Sequence, residues 1–313
     1  MKNRREAMLA VLDAAGPQEY IPAAFFLHFA PQFQRGRPAV EKHLEFFRYT
    51  GMDFVKIQFE LPFPRHPEIR RPADWSRLPF YGKEFYEPQL EVVKGLVEEA
   101  KHEALIILTL YSPFMLAGQA VGAETLEAHI REDPEATRRG IEIIAESLLL
   151  FVREAIRLGV DGFYHSTQGG EASRLSNSPL FARCVKPFDL LVMNEINRAC
   201  IFNILHICDY HAAYDDLSHF LDYPGHVVNC SLHVGERTLT PQEISAMFGR
   251  PFMGGLERKG ILATGTPEEA ARAAHAALRQ KSDRFILGAD CTVPGETSWD
   301  NLRAAIAAAH NYR

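Results

Sequence analysis

The sequence has no apolar run near the roughly 18 residues that a bilayer-spanning helix needs, which excludes a helical membrane anchor. It has no basic excess: 34 Lys and Arg stand against 40 Asp and Glu, a formal net charge of −6. That is the opposite of a nucleic-acid-binding footprint. Cysteine is sparse and odd in number, five in 313 residues. Residues 1–7 are charged and no signal-peptide core follows them. The expected location is therefore the cytoplasm, and a disulfide framework is not expected there. No glycine-rich phosphate loop follows the first apolar run, which leads instead into His28-Phe29-Ala30-Pro31. What the chain does have is 47% apolar and 24% charged residues, enough for a large core and too apolar for disorder.

Eight short apolar runs read as strands, at 21–29, 53–59, 104–110, 160–164, 201–208, 227–232, 251–254 and 284–288. Several are apolar almost throughout, as parallel strands covered on both faces should be. Helical patterns separate them. The longest, 134–158, places Ile141, Ile144, Leu148, Val152 and Ile156 at three- and four-residue spacing. Thr266-Pro267-Glu268-Glu269 reads as an N-cap, a first-turn proline and acidic residues at the positive end of a helix. Ser298 is placed to cap a last helix through 301–309. Eight strands alternating with helices predict an α/β fold, a (β/α)8 TIM barrel, over a doubly wound open sheet. No shift in composition marks a second domain, so residues 1–313 are expected to form one barrel domain. A proline-rich stretch at about 61–88 follows the second strand, either as a stiffened surface excursion or as a lid over the site.

The segment richest in chemistry is 202–209, where an apolar strand ends in His206-Ile207-Cys208. Side chains alternate along a strand, so His206 and Cys208 share a face, about 6.5–7 Å apart along the backbone. Cys291 also follows an apolar run, and a closed barrel delivers both strand ends to one rim. Two thiols and an imidazole suit zinc with one coordination position open. A lone His-x-Cys is more often a buried pair than a ligand pair, so the spacing alone leaves both readings. Cys184, Cys200 and Cys230 read as small buried hydrophobes.

The chain resembles the uroporphyrinogen decarboxylase superfamily, which includes zinc-dependent methylcobalamin:thiol methyltransferases of the coenzyme M type. The resemblance runs almost end to end. It lies in the N-terminal helix 3–12, in 108–117 with Ser112-Pro113-Phe114-Met115-Leu116-Ala117, and in Gly159-Val160-Asp161-Gly162. It continues in Leu205-His206-Ile207-Cys208, in 285–294 and in the last helix from Asn301. It implies a single (β/α)8 barrel. His206, Cys208 and Cys291 match the methyltransferase branch's zinc motif, except that Asp209 stands where a glycine is usual. The decarboxylase branch's Arg-Gln-Ala-Gly-Arg loop is absent. Residues 26–33 read Phe26-Leu27-His28-Phe29-Ala30-Pro31-Gln32-Phe33, and Arg35 and Arg37 do not restore the pattern.

The resemblance thus implies a zinc enzyme moving a methyl group from a corrinoid to a thiol. The corrinoid would be free methylcobalamin or one carried by a separate corrinoid protein. Decarboxylation of a porphyrinogen or another carboxylated small molecule is the alternative. A non-catalytic member that binds a corrinoid or tetrapyrrole is a third. A homodimer is a family-level expectation. The fourth zinc position falls to Glu60, Glu171 or water. Strand-end position makes His28, Gln58, Tyr111, Tyr164, Gln168, His233 and Glu257 candidate substrate contacts. The bland alternative for each is a hydrogen-bonded rim residue. His28 stands where the decarboxylases carry their arginine loop, and could serve as acid/base or bind a smaller substrate. His165 should point outward if Tyr164 points in.

Overall fold

A computed structural model describes residues 3–13, 16–176 and 178–313. Its central sheet is parallel throughout and contains β1 (Phe54–Ile57), β2 (Leu105–Tyr111), β3 (Gly162–Thr167), β4 (Ile204–Ile207) and β5 (Val227–Cys230). A small antiparallel hairpin, β6 (His233–Val234) with β7 (Arg237–Thr238), interrupts the sequence before β8 (Phe252–Leu256) and β9 (Phe285–Ala289). The sheet order is β1-β2-β3-β4-β5-β8-β9. Helices alternate with the strands, giving the α/β TIM barrel expected from the alternating runs.

The eighth place in the barrel differs from expectation. Residues 21–29 form no regular strand; Ala23 makes one parallel bridge with Leu287. The segment still spans the gap between β9 and β1. The Ala24 amide donates to Leu287 O at 3.0 Å and Leu287 N to Pro22 O at 2.9 Å, while Asp53 N donates to Ala23 O at 3.1 Å. The cause of the irregularity is local. Pro22 has no amide hydrogen to give, and the Ala23 amide is taken by the Asp53 carboxylate at 2.7 Å rather than by a backbone carbonyl.

The third regular strand begins at Gly162, two residues later than the apolar run suggests. Gly159 closes the preceding helix, Pro134–Leu158, in the left-handed conformation (φ 104°), and its amide bonds back to Ala155 O and Ile156 O. Asp161 is then used as an anchor rather than a strand residue. It accepts from the Ile106 amide at 2.9 Å and twice from Arg5, each at 2.8 Å. Pro134–Leu158 has the predicted limits, with Asp133 capping Ala136 N. Thr266 caps Pro267–Leu278 in a reciprocal box with Glu269. Ser298 stands at the start of Trp299–His310, but its side chain makes no capping bond.

The proline-rich excursion ends at residue 82, because the helix Lys83–Ala100 begins there and carries Pro88 inside it. Its short turn Pro72–Arg77 buries Trp75, whose indole N–H donates to His129 Nδ1 at 3.1 Å. Gly140 on the long helix leaves no room for a Cβ beside that ring. The excursion is thus seated on the outer helices. Cys184, Cys200 and Cys230 are all buried, and burial pushes each thiol up, to about 11 and about 12 for the first two. Among the described residues no helix is long and apolar enough to cross a membrane.

Candidate metal centre and cavity

At the carboxyl end of the barrel strands lies a cavity of about 580 Å³. His206, inside β4, and Cys208, just past it, both face this space, and Cys291 enters from the turn after β9. Their ligand atoms all lie within 4.8 Å of one another, and all three residues are buried. Cys291 Sγ is 3.4 Å from His206 Nε2. Gln168 Nε2 donates to Cys208 Sγ at 3.3 Å. The His206 ring is held by stacking on Tyr164, with centroids 4.8 Å apart and planes at 28°. The Tyr164 hydroxyl donates to Asn229 Oδ1 at 2.5 Å, and Asn229 Nδ2 donates in turn to Met253 O and Ala289 O. Among the described residues His206 Nδ1 has no partner.

The electrostatics of the two thiols are coupled. A hydrogen bond from Cys291, with support from His206 and Gln168, holds Cys208 well below the ordinary thiol range. Cys291, which gives that bond and then faces the Cys208 charge, goes well above it. One hydrogen bond thus drives the two buried thiols in opposite directions. Such a pair, with an imidazole beside it, could hold a soft or borderline metal ion.

The candidate substrate contacts divide into two groups. His28, Gln58, Tyr111, Tyr164 and Gln168 line the cavity. His28 Nδ1 lies 2.9 Å from Glu60 Oε1, at the border with a neighbouring cavity of about 450 Å³ that residues 61–63 and Arg65 help to line. Gln58 Oε1 accepts from Lys56 Nζ at 2.5 Å and from Thr109 Oγ1 at 3.2 Å. His233 and Glu257 correct the expectation made for them. They pair with each other at 3.1 Å, are largely exposed, and line neither cavity. The β6–β7 hairpin carries His233 off the rim, and Glu257 turns out to meet it.

Glu171 does not reach the cysteines either. It is fully buried, accepting from the Gly169 amide at 2.6 Å and from Arg174 at 2.9 Å. Neither it nor Glu60 belongs to the ligand group formed among the described residues. His165 points away from the cavity, into a crevice beside Met193 and Ile196, and burial lowers it to about 3.

Of the cavity residues that the sequence reading did not name, Lys56, Arg258 and Tyr210 matter most for its chemistry. Lys56 sits on the cavity wall with its ammonium 4.4 Å from the Phe26 ring centroid and 4.5 Å from that of Tyr164. Burial lowers it to about 7, against the opposing pull of Cys291, Glu60 and Cys208. Its signal was the Lys56–Gln58 alternation within an otherwise apolar strand. Arg258 lines the cavity and bridges Asp209 and Asp290. Tyr210, at the mouth, is largely exposed.

Fold and site together define a (β/α)8 barrel with a soft-ligand cluster at the carboxyl end of its strands. The chain belongs to the uroporphyrinogen decarboxylase (URO-D) family, whose family model matches residues 50–312. Among solved structures it is similar to a methyltransferase from Methanosarcina mazei, at a TM-score of 0.77 and 15% identity, over 98% of each chain. It is also similar to a B12-independent methionine synthase from Shewanella sp. W3-18-1 in complex with selenomethionine. There the TM-score is 0.58 and the identity 13%, over 93% of this chain and 97% of that one. At these identities the likeness is one of fold. No curated protein matches the chain.

Proposed function

We propose that the protein is a zinc-dependent methyltransferase that moves a methyl group from a corrinoid to a thiol. The observation that carries this reading is the convergence of His206, Cys208 and Cys291 in the wall of the barrel-mouth cavity. The donor set fits zinc. Bonds of about 2.3 Å to sulfur and 2.0–2.1 Å to nitrogen place tetrahedral S and N ligands about 3.5 Å apart. The Cys291–His206 separation is 3.4 Å. When bound, zinc supplies Lewis acidity that stabilises a thiol in its deprotonated, nucleophilic form.

The chain's own residues do the remaining work. Tyr164 fixes the plane of the His206 imidazole, and Gln168 orients Cys208 Sγ. The cavity positions the acceptor sulfur against the methyl group. The new S–C bond forms as the methyl–donor bond breaks, and the donor keeps the electron pair. Lys56 Nζ, which burial brings near neutrality, is a cavity group able to take the proton the thiol gives up.

Decarboxylation of a poly-carboxylate is less well supported. The guanidinium of Arg258 on the cavity wall is already committed to two aspartates. Arg37 pairs with Glu41 and Glu99 outside the cavity.

The test is metal analysis of protein produced with ample zinc, followed by methylcobalamin demethylation with a panel of thiols. About one equivalent of zinc is expected, with turnover falling at least about a hundredfold in Cys208→Ser and Cys291→Ser. Zinc below about a tenth of an equivalent, or turnover indifferent to both substitutions, would refute the reading.

A further inference from the structure

The two cysteines come from strands that are not neighbours. β5 and β8 stand between β4 and β9 in the sheet, so no ladder hydrogen bond sets Cys208 against Cys291. Ligands to one ion must nevertheless hold their distances to within about 0.2 Å. Above the end of the ladder, Arg258 spans the gap. It follows β8, and its Nη1 donates to Asp209 Oδ1 at 2.6 Å and to Asp290 Oδ2 at 3.2 Å. Its backbone amide donates to Asp290 Oδ1 at 2.8 Å. Asp209 is the residue after Cys208, and Asp290 is the residue before Cys291.

All three side chains are mostly withdrawn from water, with exposures of 12%, 16% and 15% for Arg258, Asp209 and Asp290. Charge-assisted bonds in such a setting are short and directional. The barrel itself does not call for this bridge. β8 and β9 pair through their own ladder as far as Leu256 and Ala289, and Asn229 ties β5 to both strands one layer below. Among the described residues, the two carboxylates flanking the cysteines are the only hydrogen-bond partners of the guanidinium.

We propose that Arg258 is a positioning residue for the metal centre. By bridging Asp209 and Asp290 it fixes the separation of Cys208 and Cys291, and so sets the affinity and coordination geometry of the ion. This rests on the metal reading above and assigns a role to three residues outside the ligand group of His206, Cys208 and Cys291. It also gives Asp209, the departure from the usual glycine, a physical purpose.

The experiment titrates metal-free wild-type protein and Arg258→Met with Co(II), reading the thiolate-to-cobalt and visible ligand-field bands. Zinc affinity is then measured by competition with a chromogenic chelator. Wild-type protein is expected to give the intense spectrum of a tetrahedral thiolate site. Arg258→Met is expected to bind zinc at least about tenfold more weakly, with a changed cobalt spectrum, and Arg258→Lys to recover part of the loss. Asp209→Asn, which leaves fewer buried charges unpaired, is expected to weaken zinc about three- to tenfold and decides the matter if Arg258→Met does not fold. Wild-type affinity and spectrum in the folded variants would overturn the role of Arg258. Failure of wild-type protein to bind either metal would instead refute the metal centre, and this role with it.

Discussion

The two ends of the barrel treat buried polar groups in opposite ways. At the floor, where the strands begin, Asp53 is fully buried and accepts from the Tyr20 hydroxyl, the Ala23 amide and His310 Nε2, at 2.7, 2.7 and 2.8 Å. Asp161 is satisfied just as thoroughly by Arg5 and the Ile106 amide. At the mouth, His206 Nδ1 and Gln58 Nε2 are buried without partners among the described residues. The thiols there are driven in opposite directions, Cys208 down and Cys291 up, and burial lowers Lys56 to about 7. A buried polar group left unpaired costs stability. The difference therefore separates groups spent on holding the fold from groups kept open for a ligand.

The sharpest way to break this division is at the floor. Asp53→Ala removes three hydrogen bonds and leaves the Ala23 amide, which helps to close the barrel, without its acceptor. A loss of about 3 kcal/mol in urea unfolding is expected, with the zinc content of the folded protein unchanged. A loss below about 1 kcal/mol, or a parallel loss of metal, would show that the floor is not a separate structural device.

The contrast also explains what could be read from the sequence. Parallel strands buried on both faces leave apolar runs, so all eight places in the barrel were legible. The exceptions were the places where floor anchors intervene. The Asp53 carboxylate takes the amide that would have made 21–29 regular, and Asp161 with the Gly159 turn delays β3. At the mouth, strand alternation put His206 and Cys208 on one face, and strand-end position brought in Cys291. The bridge of Asp209, Arg258 and Asp290 was not legible, because it joins three loops whose meeting depends on closure. Lys56 was hidden by its type, since a lysine in a strand reads as a side chain reaching for water. His233 and Glu257 were misplaced because a two-residue hairpin strand gives almost no periodic signal.

A middle-sized effect is expected from Asp189, which packs behind the mouth at the end of β3. Burial pushes its carboxyl up to about 7, although Thr167 Oγ1 and the Tyr223 hydroxyl donate to Oδ2. Its other oxygen has no partner among the described residues. The folded protein thus keeps a proton that the unfolded chain releases near pH 4. Its contribution to stability is full below about pH 4, is lost as pH rises toward 7, and is flat above that. Asp189→Asn holds the site neutral at every pH. The stability of the variant relative to wild type should therefore rise between pH 5 and pH 7.5, read as the difference between two sets of urea midpoints. A flat difference would mean that Asp189 is ionised in the folded state and belongs with the satisfied acids of the floor.

The smallest effect tests the one place where both habits meet. Tyr164 stacks on His206, a mouth group, while its hydroxyl joins a satisfied network through Asn229 to the carbonyls of Met253 and Ala289. Tyr164→Phe keeps the ring and the stack but leaves Asn229 Oδ1 buried without a donor. The expected cost is about 1 kcal/mol in unfolding, because only one neutral bond is lost. Zinc affinity should stay within about threefold, since it is the ring that orients the imidazole. A fall in affinity beyond about tenfold would mean that the hydroxyl network also holds the ligand in place. The mouth would then owe its geometry to the same fully paired hydrogen bonds that build the floor, and the division between the two ends would lie below His206 rather than at it.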